Sequence, residues 1–164
     1  MIKFLLFVLP IVFSSAVLAA QVNDSVPVCD AKMMSTDQAL NLADYKNQVL
    51  LIDFWATWCP PCKQSMPFLN ALRNELHEQG FEIIAINVDE ELGDAKTFLK
   101  SHPVDYVMAY DSQGDCPGKY DVKAMPSSYF VDRFGKIRFV HLGFRRSDEE
   151  EIRSRILQLL AEEK

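Results

Sequence analysis

The sequence predicts an α/β domain: a mixed central sheet with helices on both faces. Three observations predict it. Two near-continuous apolar runs, "VLLIDFWA" (49–56) and "FEIIAINV" (81–88), have the character of strands buried on both faces of a parallel sheet. Between them Met66, Leu69, Leu72 and Leu76 recur at helical spacing. After residue 126 the pattern changes to a hairpin followed by an amphipathic helix.

Taken in chain order, residues 21–37 mix Val, Pro, Asn, Asp and Ser without periodicity and read as an extended lead-in. The domain proper is expected over 38–164. The first strand at 49–56 feeds a helix from Pro60 to about Gln79, stopped by Gly80. A second strand at 81–88 is followed by a helix over "LGDAKTFLKSH" (92–102), ended by Pro103. "DYVMAYD" (105–111) reads as a third strand, and "CPGKYDV" offers one short helical turn. "SSYFVD" and "KIRFVHLG" flank "RFG", a hairpin with Gly135 in its turn. The last helix, in "SDEEEIRSRILQLLAEE", is expected to be capped by Ser147, with acid loaded into its first turn.

At 164 residues and 49% apolar, the chain can bury one full core without needing disulfides to fold. Residues 1–20 run from Lys3 through an apolar stretch to small residues before Gln21, the pattern of a secretory signal peptide. A retained N-terminal membrane anchor is the alternative, although the run is slightly shorter than a spanning helix needs. Removing this segment leaves 16 basic against 23 acidic side chains, a net charge of −7. That balance argues against nucleic acid as a partner. Export to an oxidising, periplasmic compartment changes how all four cysteines are read.

Cys59 and Cys62 stand three apart at the exit of the first buried strand. Pro60 and Pro61 fall in the first helical turn, where a missing N–H does no harm. The Cys59 sulfur therefore faces the unpaired N–H groups of a helix start, which favour thiolate over thiol. Cys62, one turn on, is close enough to resolve a mixed disulfide formed at Cys59. This division of labour wants one exposed and one shielded sulfur. A zinc site would need two further ligands at fitting spacing, and His77, His102 and His141 each stand alone. No metal is expected. A carboxylic acid at Asp53, inside the buried strand, should titrate high and can act as general base to Cys62.

"DFWATWCPPCK" closely resembles the thioredoxin active site. Asp53 stands where thioredoxins keep the acid that exchanges a proton with the second cysteine. Trp55 and Trp58 match the tryptophan flanks, and Pro67 matches the kink of the family's helix. Downstream, "AMPSSYFVD" is similar to the family's cis-proline strand, which implies a cis bond before Pro126 and a Met125 backbone that pairs with an extended substrate segment. Trp58, Pro60, Pro61, Met125 and Pro126 would then frame the substrate groove, with Gly143 beside it. The lead-in, and a central helix and strand between Cys62 and Pro126, resemble the TlpA/ResA/DsbE-type branch of exported thioredoxin-like proteins. Glu90 aligns with an acidic position of that branch that approaches the site; as one of three consecutive acids, it also reads as part of a solvated loop.

The resemblance implies a thiol-disulfide oxidoreductase that reduces disulfides in client proteins, such as apocytochromes, and is itself kept reduced by a membrane thiol donor of the DsbD/CcdA type. No dissociable organic cofactor is implied. An oxidase or isomerase of the same fold, or a Cu(I) metallochaperone using Cys59 and Cys62, are the alternatives. A non-catalytic interaction domain fits less well, because both cysteines, Asp53 and Pro126 occur together. With Cys59 and Cys62 assigned, Cys29 and Cys116 remain, and in an oxidising compartment a structural bridge between them is expected; a second redox pair is the alternative, since Cys116 also sits beside a helix-starting proline.

Overall fold

The computed structural model describes residues 20–162. The segment read as a signal peptide or anchor lies outside the described residues, except for Ala20. Among the described residues, no helix is long and apolar enough to cross a membrane.

Six strands form one mixed sheet: β1 (Lys32–Met33), β2 (Val49–Trp55), β3 (Phe81–Asn87), β4 (Val107–Tyr110), β5 (Ser127–Val131) and β6 (Ile137–Leu142). Their spatial order is β1-β4-β3-β2-β5-β6, with β2, β3 and β4 parallel and the other pairings antiparallel. The apolar runs of β2 and β3 become the two central strands, and every residue of both is buried. Among the described residues, four α-helices complete the fold: α1 (Pro60–Leu76), α2 (Leu92–Ser101), α3 (Asp115–Tyr120) and α4 (Glu149–Ala161).

Alternation along β2 divides the core in two. Val49, Leu51 and Trp55 point to the face covered by Met66, Leu69, Leu72 and Leu76 of α1 and by Ile152, Ile156 and Leu159 of α4. Leu50, Ile52 and Phe54 point to the other face, against Tyr120 of α3 and against Ala31 and Leu40. Burying a side chain such as Leu72 is worth roughly 1.5–3 kcal/mol, so the α1 stripe fixes the helix that carries the cysteine pair. Pro67 is accommodated within α1, and the helix closes through a short 3-10 turn (His77–Gln79) into Gly80 at φ 89°. A side chain there would also collide with Arg133, whose Nη1 would lie 2.9 Å from a Cβ.

Two expectations are corrected. The lead-in is already part of the sheet before residue 38: β1 pairs with β4, Asn23 N–H donates to Ile137 O at 2.7 Å, and Ile137 N–H donates to Asp24 O at 2.9 Å. These pairings cover edge groups of β4 and β6 that would otherwise stay unbonded. Ser147 does not cap the last helix; it lies in a 3-10 turn, Arg146–Asp148. There the Asp148 carboxylate accepts from Arg145 N–H at 2.7 Å and from the Ser147 hydroxyl at 3.1 Å. Asp148 is the N-cap residue of α4, but its carboxylate reaches back to these two donors and makes no side-chain cap bond to the helix.

Candidate active site

The end of β2 and the start of α1 place the cysteine pair. Cys59 is the N-cap of α1 in extended backbone, and Cys62 N–H points at its sulfur from 3.2 Å. Pro60 and Pro61 fill the first two helical positions, so the first helix N–H free to meet that sulfur is the one Cys62 supplies. Cys59 and Cys62 are joined as a disulfide. Both residues are buried in this oxidised form, at 3% and 1% exposure, so the expected contrast of exposed and shielded sulfur is absent from it. They belong to the apolar cluster that contains Trp55 and Phe144, with Met125 packed against it.

Trp58, directly before Cys59, is 66% exposed. Pro60 is exposed and Pro61 half-buried. The Met125–Pro126 peptide bond is cis, and Gly143 N–H donates to Pro126 O at 2.7 Å, which ties the end of β6 to the cis-proline turn. Met125 and the cysteines thus share one cluster at one end of the sheet.

Asp53 lies in the middle of β2, opposite Ala85 of β3 and Ser128 of β5. It shares the Leu51 and Trp55 side of the strand, the side on which the cysteine pair packs. Its carboxylate accepts a 2.6 Å hydrogen bond from the Ser128 hydroxyl. Burial pushes its pKa up to about 7, and the Ser128 bond opposes that rise. A carboxyl tuned to that range can exchange a proton at neutral pH. Tyr106, also buried, is held protonated chiefly by its own burial and further by the charge of Asp53.

Glu90 is exposed and lines an open groove of about 400 Å³ with Thr57, Trp58, Glu91 and Asp94. Sequence reasoning took Glu90 as the informative acid and passed over its neighbour. Asp89 is the buried one, at 5% exposure, and it accepts from Thr57 N–H, the Thr57 hydroxyl and the Asn87 amide. The spacing Asn87-x-Asp89 at the end of a buried strand was the available signal, since the Asn87 amide donates to the Asp89 carboxylate and accepts from Asp89 N–H. Ser128 was also missed; a serine in an apolar strand opposite an acid was its only mark.

Cys29 and Cys116 form a second disulfide, which ties the lead-in to the start of α3 on the opposite face of the sheet. It is remote from the first pair in the fold's layering, since the two disulfides belong to different core clusters. Among the described residues, no group of three or more His, Cys, Asp or Glu is arranged to hold a metal ion.

Comparison with known proteins matches the Redoxin family over residues 21–156. The chain is 36% identical to the thiol-disulfide oxidoreductase ResA of Bacillus thuringiensis over 98 residues, covering 60% of this chain and 57% of the relative. It is 31% identical to ResA of Oceanobacillus iheyensis over 126 residues, covering 75% of this chain and 66% of the relative. The chain thus spans less than two thirds of the length of these curated relatives. A Chlorobium tepidum crystal structure, assigned as a thiol:disulfide interchange protein DsbE, superposes with a TM-score of 0.82 at 36% identity, covering 87% of this chain and all of that one. By these matches the chain belongs to the Redoxin family, as a thioredoxin-like protein of the type that includes ResA and DsbE.

Proposed function

We propose that this protein is an exported thiol-disulfide oxidoreductase that reduces disulfides in client proteins through Cys59 and Cys62. The observation that carries the reading is the Cys59–Cys62 disulfide at the N-terminus of α1, on the sheet face occupied by a buried Asp53 tuned to about 7. The relatives named ResA and DsbE support the same chemistry.

In the reduced protein, Cys59 is the nucleophile: the Cys62 N–H that points at its sulfur and the helix start both stabilise the thiolate. Its sulfur attacks a client disulfide, so a client S–S bond breaks, a Cys59–client S–S bond forms, and the other client sulfur leaves as a thiolate. Cys62 then gives its proton to Asp53 and attacks the Cys59 sulfur. The mixed disulfide breaks, Cys59–Cys62 closes, and the client leaves with both electrons. Exposed Trp58, with Pro60, Pro61, Met125 and cis Pro126, frames the surface that receives the client. Glu90 stands at the rim of the groove beside Trp58 and acts on the client side of that surface.

Residues 1–20 act as the export signal, which puts the domain in the periplasm, where a membrane thiol donor of the DsbD/CcdA type returns the dithiol to its reduced state. Cys29–Cys116 is structural and stays oxidised there. The test is reduction of insulin with a thiol donor: wild-type protein accelerates it and Cys59→Ser does not. Equal rates for the two proteins would defeat the reading.

A further inference from the structure

Ser128 lies outside the cysteine motif, yet among the described residues it is the one hydrogen-bond partner of the Asp53 carboxyl. Both are buried, at 5% and 4% exposure, and β5 sets Ser128 directly opposite Asp53. The surroundings offer Asp53 little else. Ala85 of β3 lies opposite it, the residues buried on that side of the sheet include the cysteine pair, Met66, Ile152 and Ile156, and Tyr106, from the segment before β4, feels its charge. Next to Ser128 in the same cross-strand row is His141 of β6, with its Nε2 3.4 Å from Asp148 Oδ2. Burial and Ser128 are the two causes that set the titration of Asp53.

A serine hydroxyl both donates and accepts. It can donate to a carboxylate, and it can accept from, or still donate to, a carboxylic acid. An ammonium or backbone N–H can only donate, so it cannot accept from the acid's O–H, and a methyl serves neither form. For a group that must take up and release a proton inside a low-dielectric core, a partner that suits both forms avoids a buried unmet polar atom in either state.

We propose that Ser128 is a positioning residue for proton exchange: it stays bonded to the Asp53 carboxyl in both protonation states, so the acid takes and returns the Cys62 proton without reorienting. This rests on the reading of Asp53 as the proton acceptor for Cys62. The step moves one proton and no electrons. The Cys62 S–H bond breaks, an Asp53 O–H bond forms, and the Ser128 hydroxyl changes only its role in the bond.

The experiment compares Ser128→Thr with Ser128→Val, which add the same bulk and differ in the hydroxyl. Insulin reduction is followed from pH 5 to 9 beside wild type and Asp53→Asn. In Ser128→Val the loss of the bond that favours the anion moves the rising limb of the profile to higher pH by about one unit. At pH 6 the rate is then up to about tenfold lower, and the curves converge at pH 9. Ser128→Thr keeps the wild-type midpoint. Should Ser128→Val fail to fold, the smaller Ser128→Ala carries the same expectation. A Val or Ala midpoint equal to wild type, or equal displacement in Thr and Val, overturns the role of Ser128 while leaving that of Asp53 standing. An Asp53→Asn profile identical to wild type overturns both.

Discussion

Asp89 holds Thr57: its buried carboxylate accepts the Thr57 backbone N–H at 3.1 Å and the Thr57 hydroxyl at 3.2 Å. This pins the loop between β2 and Cys59 to the loop after β3. Asn87 completes the clamp, donating its amide to Asp89 at 2.9 Å and accepting Asp89 N–H at 3.1 Å. Asp89→Ala leaves these donors without their acceptor, and hydrogen bonds to a charged group are worth about 1.5–3 kcal/mol each at most sites. The variant should lose about 2–3 kcal/mol in urea unfolding. It should also reduce insulin more slowly, because the N-cap geometry of Cys59 depends on that loop. Wild-type stability in Asp89→Ala would contradict the clamp.

Asp53 is destabilising above neutral pH. Its folded-state pKa, about 7, lies above its unfolded value, so the folded protein binds this proton more tightly and stability is lost as pH rises from about 4 through 7. A rise of about three pH units corresponds to on the order of 4 kcal/mol. Asp53→Asn should therefore be more stable than wild type at pH 8 and indistinguishable from it at pH 3.5. Oxidised proteins melted in urea at the two pH values give the comparison, and a gain that does not depend on pH would sink this account.

Arg73 of α1 binds Glu82 of β3 through two hydrogen bonds, Nε to Oε1 at 3.0 Å and Nη2 to Oε2 at 2.8 Å. Glu82 is 4% exposed. Arg73→Ala leaves the buried Glu82 carboxylate with only Ile83 N–H and the neighbouring His77 ring, so it should cost about 3 kcal/mol. Arg73→Met with Glu82→Leu should recover most of that loss, since no charge is then left buried alone. Thermal denaturation of the single and double variants decides it; a double variant weaker than the single one would point to a net favourable pair.

The Cys29–Cys116 bridge closes a loop with a sequence separation of 87, across which it fastens the lead-in to α3. Replacing both cysteines with alanine should lower stability by about 2–4 kcal/mol through the larger freedom of the unfolded chain. Insulin reduction at 25 °C should be retained, because Cys59 and Cys62 lie in the other core cluster. Loss of turnover in a folded Cys29→Ala, Cys116→Ala protein would assign that bridge to the redox cycle instead.

What could be read in advance depended on whether the physics was local. β2 and β3 were visible because a strand buried on both faces must be apolar throughout, and α1 because its buried stripe repeats at 3.6 residues. The stop at Gly80 and the helix breaks at Pro103 follow from backbone geometry alone. The lead-in pairing was hidden because two-residue β1 and the hydrogen bonds of Asn23 and Asp24 to Ile137 need strands from far along the chain. Asp89, Glu90 and Glu91 are chemically alike in sequence. Beyond the Asn87-x-Asp89 spacing, it is the approach of Thr57 that separates the buried member from the exposed ones. Ser128 is legible as a strand residue and acquires its partner only when β5 docks beside β2.

The central claim is that Cys59 attacks and Cys62 resolves. Cys62→Ser protein, reduced and mixed with oxidised insulin, should accumulate a mixed disulfide that mass spectrometry of the peptides places on Cys59, while Cys59→Ser should accumulate none. An adduct on Cys29 or Cys116, or on Cys62 in the Cys59→Ser protein at a comparable rate, would contradict the account.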